Sequence, residues 1–266
     1  MKILSFDIGG TKISSAIVLA DGQLAENVLT IKTPSTAQEI EEFLQKRISQ
    51  TEFDGLAVAT AGVVWDEKLV AKPHNLPEGY ENIKFHNLCH KPVLVENDAN
   101  SALWAEYKSG VLKGASQAVM LTLGTGVGCG IICNGRMLRG KIGAAGELPF
   151  LISGKDFAAL AKQNGLAESD CFSLYKMKQE HNKAAEEVYR EWQNRLVDGI
   201  SLLNDILDTE IVALSGSLAK IVDYSTVEKE VNARGYHNPL QLKMARTEAD
   251  AGLIGAALLL KDKINE

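Results

Sequence analysis

The chain has 266 residues, of which 45% are hydrophobic and 23% are charged, with a formal net charge of −6 and a pI near 5.5. This length and composition can bury one large core or two modest ones, which excludes a disordered chain. The acidic balance provides no basic face for nucleic acid, and no apolar stretch approaches the length of a membrane span. We therefore expect a globular protein that has neither a nucleic-acid partner nor a membrane partner.

The first predicted element is a β-hairpin, because the apolar runs 2–6 and 13–19 flank a glycine-rich turn. Such glycines can bring backbone N–H groups up to an anion, and the turn also carries a hydroxyl and a positive charge. Asp7 ends the first run, where a carboxylate is either a ligand of Mg²⁺, direct or through water, or an ordinary turn residue. The turn consists of Gly9, Gly10, Thr11 and Lys12.

Helix-type and strand-type patterns alternate after this hairpin. Residues 36–50 and 97–108 have helical periodicity, and residues 54–60 and 92–96 read as buried strands. The alternation predicts an α/β fold, in which ligand sites lie at the carboxyl edge of a sheet. Asp98, which follows a strand directly, is a candidate general base, although Asn97-Asp98 also suits the start of an ordinary helix.

A second hairpin is predicted from residues 118–123 and 129–133, which flank another glycine-rich turn. The turn matches neither the Walker A motif nor the dinucleotide fingerprint, and alone it would read as a bulged hairpin. Because it repeats the first turn, we interpret it as a second phosphate-binding turn. Turn-prone residues at 108–114 predict a domain boundary just before it. Its candidate residues are Gly124, Thr125, Gly126 and Gly128.

The rest of the chain is predicted to be mostly helical from 154 to 204, with strands at 210–214 and near 240–244 and a further helix between them. The first of these strands leads into Ser215-Gly216-Ser217. The last predicted helix, 249–261, is rich in Gly and Ala, so we expect it to pack closely against a sheet, which we assign to the first domain.

Two loops and one spacing pattern offer further polar candidates. In Pro73-His74-Asn75, the Asn75 amide could read a sugar hydroxyl, or the loop could be a surface turn. Glu147 could hold two vicinal hydroxyls, or could be a solvated glutamate. A triad of His and Cys side chains has helical spacing but no fourth ligand nearby, which argues against a metal site. The triad is His86, Cys89 and His90.

Taken as a set, these motifs resemble the ROK branch of the sugar-kinase, hexokinase and actin-like superfamily. Residues 7–12 match the family's first phosphate motif, 123–128 resemble its second, and 215–217 resemble its adenosine-side motif. The sugar-site elements fall in the expected order, and the resemblance covers nearly the whole chain. These elements are Thr60-Ala61-Gly62, Asn75, Asn97-Asp98 and Gly146-Glu147.

The resemblance implies a two-domain actin-like ATPase (ribonuclease H-like) fold with a central cleft, with lobes 1–112 plus 250–266 and 113–249. It implies transfer of the γ-phosphoryl group of ATP, with Mg²⁺, to a hexose 6-hydroxyl, and a homodimer. Asp98 takes the position of the base and Asp7 that of the metal-associated residue. The implied sugar contacts are Gly62, Asn75, Asn97 and Glu147; the implied ATP contacts are Asp7, Gly9, Gly10, Thr11, Lys12, Gly124, Thr125, Gly126, Gly128, Gly216 and Ser217.

One departure from the family concerns the loop after Glu147. ROK kinases typically continue Glu-x-Gly-His and then a cysteine-rich loop that binds structural zinc and supplies a second sugar-contacting glutamate. Here Phe150 stands in place of the histidine, the cysteines are absent, and the following Ser-Gly arrives early. The departure predicts a protein without structural zinc and with looser discrimination between sugars.

The motifs leave several sugars as candidate substrates. Residues 73–76 resemble the corresponding loop of bacterial N-acetylmannosamine kinases, which favours N-acetylmannosamine over glucose or another hexose. A non-catalytic sensor of sugar or nucleotide is an alternative. Because the first strand starts directly after Met1, we expect a cytoplasmic protein and no N-terminal helix-turn-helix, which disfavours a ROK repressor.

Overall fold

The computed structural model describes residues 1–71, 73, 75–166, 170–235, 239–247 and 250–265. It divides into two compact units: the first comprises Met1–Lys113, Met137–Ala145 and residues 250–265, and the second comprises Gly114–Arg136 and residues 146–247. The predicted lobe 113–249 therefore differs from the second unit at Lys113 and at residues 137–145, which group with the first. His74 of the predicted sugar loop lies outside the described residues.

The secondary-structure elements follow the alternation predicted from the sequence. The strands are β1 (Lys2–Ile8), β2 (Lys12–Leu19), β3 (Leu29–Lys32), β4 (Gly55–Thr60), β5 (Val64–Trp65), β6 (Lys68–Leu69), β7 (Val93–Asn97), β8 (Gln117–Leu123), β9 (Val127–Cys133), β10 (Arg136–Met137), β11 (Ile211–Ser215) and β12 (Gln241–Met244). The α-helices are α1 (Ala37–Ser49), α2 (Asp98–Ser109), α3 (Gly154–Gln163), α4 (Cys171–Gln179), α5 (Lys183–Leu207), α6 (Tyr224–Arg234) and α7 (Ala251–Asn265).

The first unit contains a mixed sheet of strand order β3-β2-β1-β4-β7. β1 and β2 form the predicted antiparallel hairpin, while β1, β4 and β7 run parallel. Apolar side chains of α1 and of the strands form a core on one face, and α7 packs on the other. Because three parallel strands end together, the polar residues that follow them meet at one edge.

Helix α7 approaches its neighbours closely because its small residues allow it. A Cβ added at Gly255 would lie only 1.6 Å from the carbonyl oxygen of Ser101 in α2. On the sheet side, Ser5 Oγ donates a hydrogen bond of 2.7 Å to the carbonyl of Leu253. The close packing expected from the Gly and Ala content of this helix is thus present in the first unit.

The second unit repeats the arrangement in a sheet of order β10-β9-β8-β11-β12. β8 and β9 form the second predicted hairpin, and β8, β11 and β12 are parallel. The fully buried Trp192 of α5 stacks on Phe157 of α3 with ring centroids 5.1 Å apart, which joins the helices of this unit. The duplicated hairpin and the α/β class are therefore confirmed.

The short strands were not predicted. β5, β6 and β10 have two residues each, and β3 has four residues of which none is fully buried, so no alternation of apolar and polar residues marks them. None of the helices in the described part of the chain has the length and apolarity needed to cross a lipid bilayer.

Candidate functional site

The carboxyl ends of β1, β4 and β7 bring four of the predicted site residues to one edge of the first sheet. The strand register aligns Ile8 with Thr60 and Thr60 with Asn97. The Asn97 side chain donates to the carbonyl oxygen of Gly62 at 3.0 Å and to Asp98 Oδ1 at 3.1 Å, and its own oxygen caps α2. Asn97, Asp98 and Gly62 therefore form one hydrogen-bonded corner.

Asp7 is the second carboxylate at this edge. Burial has the largest effect on its pKa and raises it. The nearby carboxylates of Asp98 and Asp250 raise the pKa as well, whereas Lys12 lowers it. The net result raises the pKa of Asp7 from its ordinary 3.8 to about 7. A carboxylate placed in this way gains from a cation beside it, because a positive charge offsets both burial and the repulsion from Asp98.

Helix α7 approaches Asp7 through a glycine that the sequence did not mark as part of the site. A Cβ added at Gly252 would lie 2.6 Å from Asp7 Oδ2. Any larger residue there would displace the carboxylate. The Gly and Ala content of α7 was visible in the sequence, but its contact with Asp7 was not.

A buried tyrosine lies near the same two carboxylates. The Tyr80 hydroxyl and Thr60 Oγ1 are 2.7 Å apart, and Thr60 is the last residue of β4. Burial raises the pKa of Tyr80, and the charges of Asp98 and Asp7 raise it further. Tyr80 therefore stays neutral, and its hydroxyl contacts Thr60 at the end of β4.

The first glycine turn is closed by a bond of 3.0 Å from Gly9 N to Lys12 O. Within the described residues, no backbone carbonyl accepts the N–H groups of Gly10 and Thr11, which leaves two adjacent donors for an anion. A Cβ at Gly10 would lie 2.4 Å from the Asn75 carbonyl oxygen, so only glycine lets the Asn75 loop sit against the turn.

Gly62 packs against Pro73, two residues before Asn75. Gly62 has φ +104°, and a Cβ there would lie 2.8 Å from the Pro73 ring. Pro73 and Asn75 are thus each in close contact with a glycine of the predicted site. Asn75 itself is exposed.

In the second unit, the turn after β8 has the same construction as the first. Gly124 N donates to Gly126 O at 3.0 Å, and the amides of Thr125 and Gly126 have no carbonyl partner among the described residues. Gly216 has φ +84°, and its Cβ would lie 2.4 Å from the Leu123 carbonyl oxygen. The predicted adenosine-side residues Gly216 and Ser217 therefore follow a strand end that adjoins this turn.

Glu147 is also held beside the second hairpin. Gly146, with φ +97°, packs so closely on β9 that a Cβ would lie 2.1 Å from the Cys129 carbonyl oxygen. Burial raises the pKa of Cys129 to about 12, and the nearby Glu147 charge contributes to the shift. Glu147 is exposed, whereas Cys129 is an inert, buried thiol.

The short connection after Glu147 is anchored to the body of the second unit by packing and hydrogen bonds. The Phe150 ring covers Gly199 of α5, where a Cβ would lie 3.3 Å from the ring atoms. Trp192 Nε1 donates to the Ile152 carbonyl at 2.9 Å, and Gly154 N donates to the Gly124 carbonyl at 2.8 Å. These contacts connect the end of the loop directly to the second glycine turn.

The part of the chain that the structure describes has no group of three or more His, Cys, Asp or Glu side chains able to hold a metal ion. The absence of structural zinc stays a prediction that metal analysis must test.

The model of the ROK family matches residues 3–150 and 148–263 of the chain. The chain belongs to the ROK family. Its α/β fold is the actin-like ATPase fold shared by ROK proteins of known structure.

Three similar proteins illustrate the breadth of the match. N-acetylmannosamine kinase from Shigella flexneri is 29% identical over 293 residues, covering 97% of this chain and 98% of that protein. The ROK hexokinase from Thermus thermophilus superimposes with a TM-score of 0.84 at 24% identity, covering 100% of this chain and 99% of the other. A ROK glucokinase from Streptomyces griseus, solved with glucose and AMPPNP, gives a TM-score of 0.77 at 24% identity, covering 97% and 99%.

Proposed function

We propose that this ROK protein is an ATP-dependent sugar kinase that phosphorylates the 6-hydroxyl of a hexose or N-acetylhexosamine, with N-acetylmannosamine as the preferred substrate. The observation that carries the proposal is the corner of Gly62, Asn97 and Asp98, which lies with Asp7 at the carboxyl edge of one sheet. The matched N-acetylmannosamine kinases support the preferred sugar, and the hexokinase and glucokinase structures support glucose as the alternative.

Asp98 is the general base of the proposed reaction. Its Oδ1 accepts hydrogen bonds from Ala99 N at 2.9 Å and from Asn97 Nδ2 at 3.1 Å, which fix the position of the carboxyl group. An ionised carboxylate can accept the proton of a sugar hydroxyl as that hydroxyl attacks the phosphoryl group. In this proposal Asn97, Gly62 and Asn75 orient the sugar, and the family resemblance implies Glu147 as a further sugar contact.

Asp7 would hold Mg²⁺, directly or through water. Its raised pKa fits a site made for a cation, and carboxylate oxygens are the ligands that Mg²⁺ prefers. When bound, Mg²⁺ neutralises charge on the transferring phosphates. The free amides of the two glycine turns bind phosphate oxygens, and Lys12 adds a positive charge. Gly216 and Ser217 lie on the adenosine side in this proposal.

The catalytic proposal is tested with Asp98→Asn, which keeps the size of the side chain but removes its basicity. Sugar-dependent ADP release is measured over a panel of N-acetylmannosamine, other N-acetylhexosamines, glucose and other hexoses, with and without Mg²⁺. We expect kcat to fall by roughly 10²- to 10⁴-fold, the range typical of a general base, while the Kd for ATP stays nearly unchanged.

The control is Asp21→Asn, which removes one carboxylate from an exposed turn. Unchanged turnover in Asp98→Asn would remove Asp98 as the base. Absence of turnover by the natural chain on every sugar, with ATP still bound, would instead favour the alternative of a non-catalytic sensor.

Two accompanying proposals concern the state of the enzyme in the cell. We propose that it acts in the cytoplasm, where ATP is supplied, and that it is a homodimer, as the family resemblance implies. Sedimentation velocity of the purified chain tests the second point, and a monomer at micromolar concentration would contradict it.

A further inference from the structure

A buried carboxylate, that of Glu96, immediately precedes Asn97 and Asp98 in the sequence. Glu96, at the end of β7, is 4% exposed and accepts four hydrogen bonds. Its Oε1 accepts from Asn97 N at 2.9 Å and from Asn100 Nδ2 at 3.1 Å. Its Oε2 accepts from Arg139 Nε at 3.0 Å and Nη2 at 2.8 Å. These four donors offset the cost of burial, because a buried carboxylate without partners is strongly unfavourable.

Arg139 comes from a distant part of the chain. It belongs to the segment Met137–Ala145, which groups with the first unit although the residues on both sides of it group with the second. The segment is anchored again at Gly143, where a Cβ would lie 2.0 Å from the Val64 carbonyl oxygen. A bond of 3.2 Å from Ala145 N to Arg139 O closes it, two residues before Glu147.

A continuous chain of hydrogen bonds therefore leads from Arg139 to Asp98. Arg139 holds Glu96, Glu96 holds the backbone of Asn97, and the Asn97 side chain holds Asp98. The Arg139 side chain is 40% exposed, whereas that of Glu96 is 6% exposed, so the arginine is the accessible end of the chain.

We propose that Arg139 and Glu96 are a positioning pair that sets the orientation of Asn97 and Asp98 for phosphoryl transfer. Neither residue touches the reacting atoms; each acts through the backbone and side chain of Asn97. The kinetic part of this inference rests on the proposed function. Its structural part, the hold on the Asn97 backbone, can be measured without any turnover.

The experiment compares Arg139→Gln and Arg139→Lys with a control, Lys141→Gln, which removes an exposed positive charge from the same segment. In Arg139→Gln we expect kcat to fall on the order of 10- to 100-fold, the size of effect that small misplacement produces. The KM for ATP should change little, since the glycine turns are untouched. Arg139→Lys keeps the positive charge but not the pair of hydrogen bonds to Glu96 Oε2. Its kcat should therefore lie between those of the natural chain and Arg139→Gln.

Hydrogen exchange of the Asn97 backbone amide and the amides of residues 98–101 provides the second readout. We expect faster exchange in Arg139→Gln and natural rates in Lys141→Gln. A pair that only stabilised the fold would lower the melting temperature and leave kcat of the folded enzyme unchanged, and that result would overturn the proposal. Natural exchange rates in Arg139→Gln would overturn it as well.

The two proposals fail in different ways. If the natural chain turns over no sugar, the kinase proposal fails. Hydrogen exchange of the Asn97 amide still tests whether Arg139 and Glu96 hold the Asn97 backbone. If Arg139→Gln does not fold, Arg139→Lys carries the same comparison. If folded Arg139→Lys then has the same kcat and the same exchange rates as the unsubstituted protein, the positioning role is overturned.

Discussion

Replacement of Asp7 by asparagine should make the protein more stable at the same time as it inactivates it. Burial and the neighbouring Asp98 raise the pKa of Asp7 from 3.8 to about 7. An acid whose pKa is raised by folding supports the folded state fully below its unfolded pKa, and this support is lost as the pH rises through the folded value. At pH 8, ionised Asp7 therefore destabilises the metal-free protein.

The size of the effect follows from the shift. About 1.4 kcal/mol for each pKa unit gives an upper value of about 4 kcal/mol at pH 8 and about 2 kcal/mol at pH 5. Asparagine carries no charge, so Asp7→Asn should gain about 2 kcal/mol more at pH 8 than at pH 5. The assay is urea unfolding at the two pH values in EDTA, which removes divalent cations.

The matched control is Asp21→Asn, which also removes one negative charge but from an exposed turn, where burial does not act on the side chain. Added Mg²⁺ should reduce the difference between the natural chain and Asp7→Asn, because a cation offsets the charge of Asp7. An advantage of Asp7→Asn that does not grow between pH 5 and pH 8 would refute the reasoning that ionised Asp7 is disfavoured in the fold.

Three further predictions concern the close contacts and the shortened loop. Gly10→Ala should raise the KM for ATP on the order of 10-fold or more, because its Cβ would lie 2.4 Å from the Asn75 carbonyl oxygen. The control is Gly9→Ala, whose Cβ would have its nearest neighbour at 3.5 Å. It should have a small effect in the same steady-state assay. Gly255→Ala should lower the free energy of unfolding by about 3 kcal/mol or more, because its Cβ would overlap the Ser101 carbonyl in α2; denaturation curves within 1 kcal/mol of the natural chain would contradict this. Elemental analysis of freshly purified protein should find no stoichiometric zinc, and one zinc per chain would contradict the predicted loss of the zinc-binding loop after Glu147.

The local elements were predictable because their signals are short in range. The hairpins around the two glycine turns and the helices after β7 and β11 depend on apolar periodicity and turn residues that are adjacent in sequence. Asp98 could also be placed at a sheet edge, since a strand ends directly before it. The strands β5, β6 and β10 escaped prediction because two residues carry no measurable period.

Contacts between distant residues escaped prediction for a different reason. Glu96 lies in a strand that reads as apolar, and Arg139 lies in a glycine-rich stretch, so neither position suggests the other. Residues 137–145 fall within the predicted lobe 113–249, whereas contact clustering groups them with the first unit. Gly252 was recognised as small, while its approach to Asp7 depends on how α7 packs against the sheet.

The sequence by itself determined the duplicated glycine hairpin, the α/β class and the family resemblance, because each depends on residue types at fixed spacing. Only the tertiary structure decided how the site residues are supported: which glycine each loop packs against, why the pKa of Asp7 rises, and how Arg139 reaches Asp98 through Glu96. Burial and hydrogen bonding arise from residues far apart in the chain, and their proximity exists only once the helices and strands have packed.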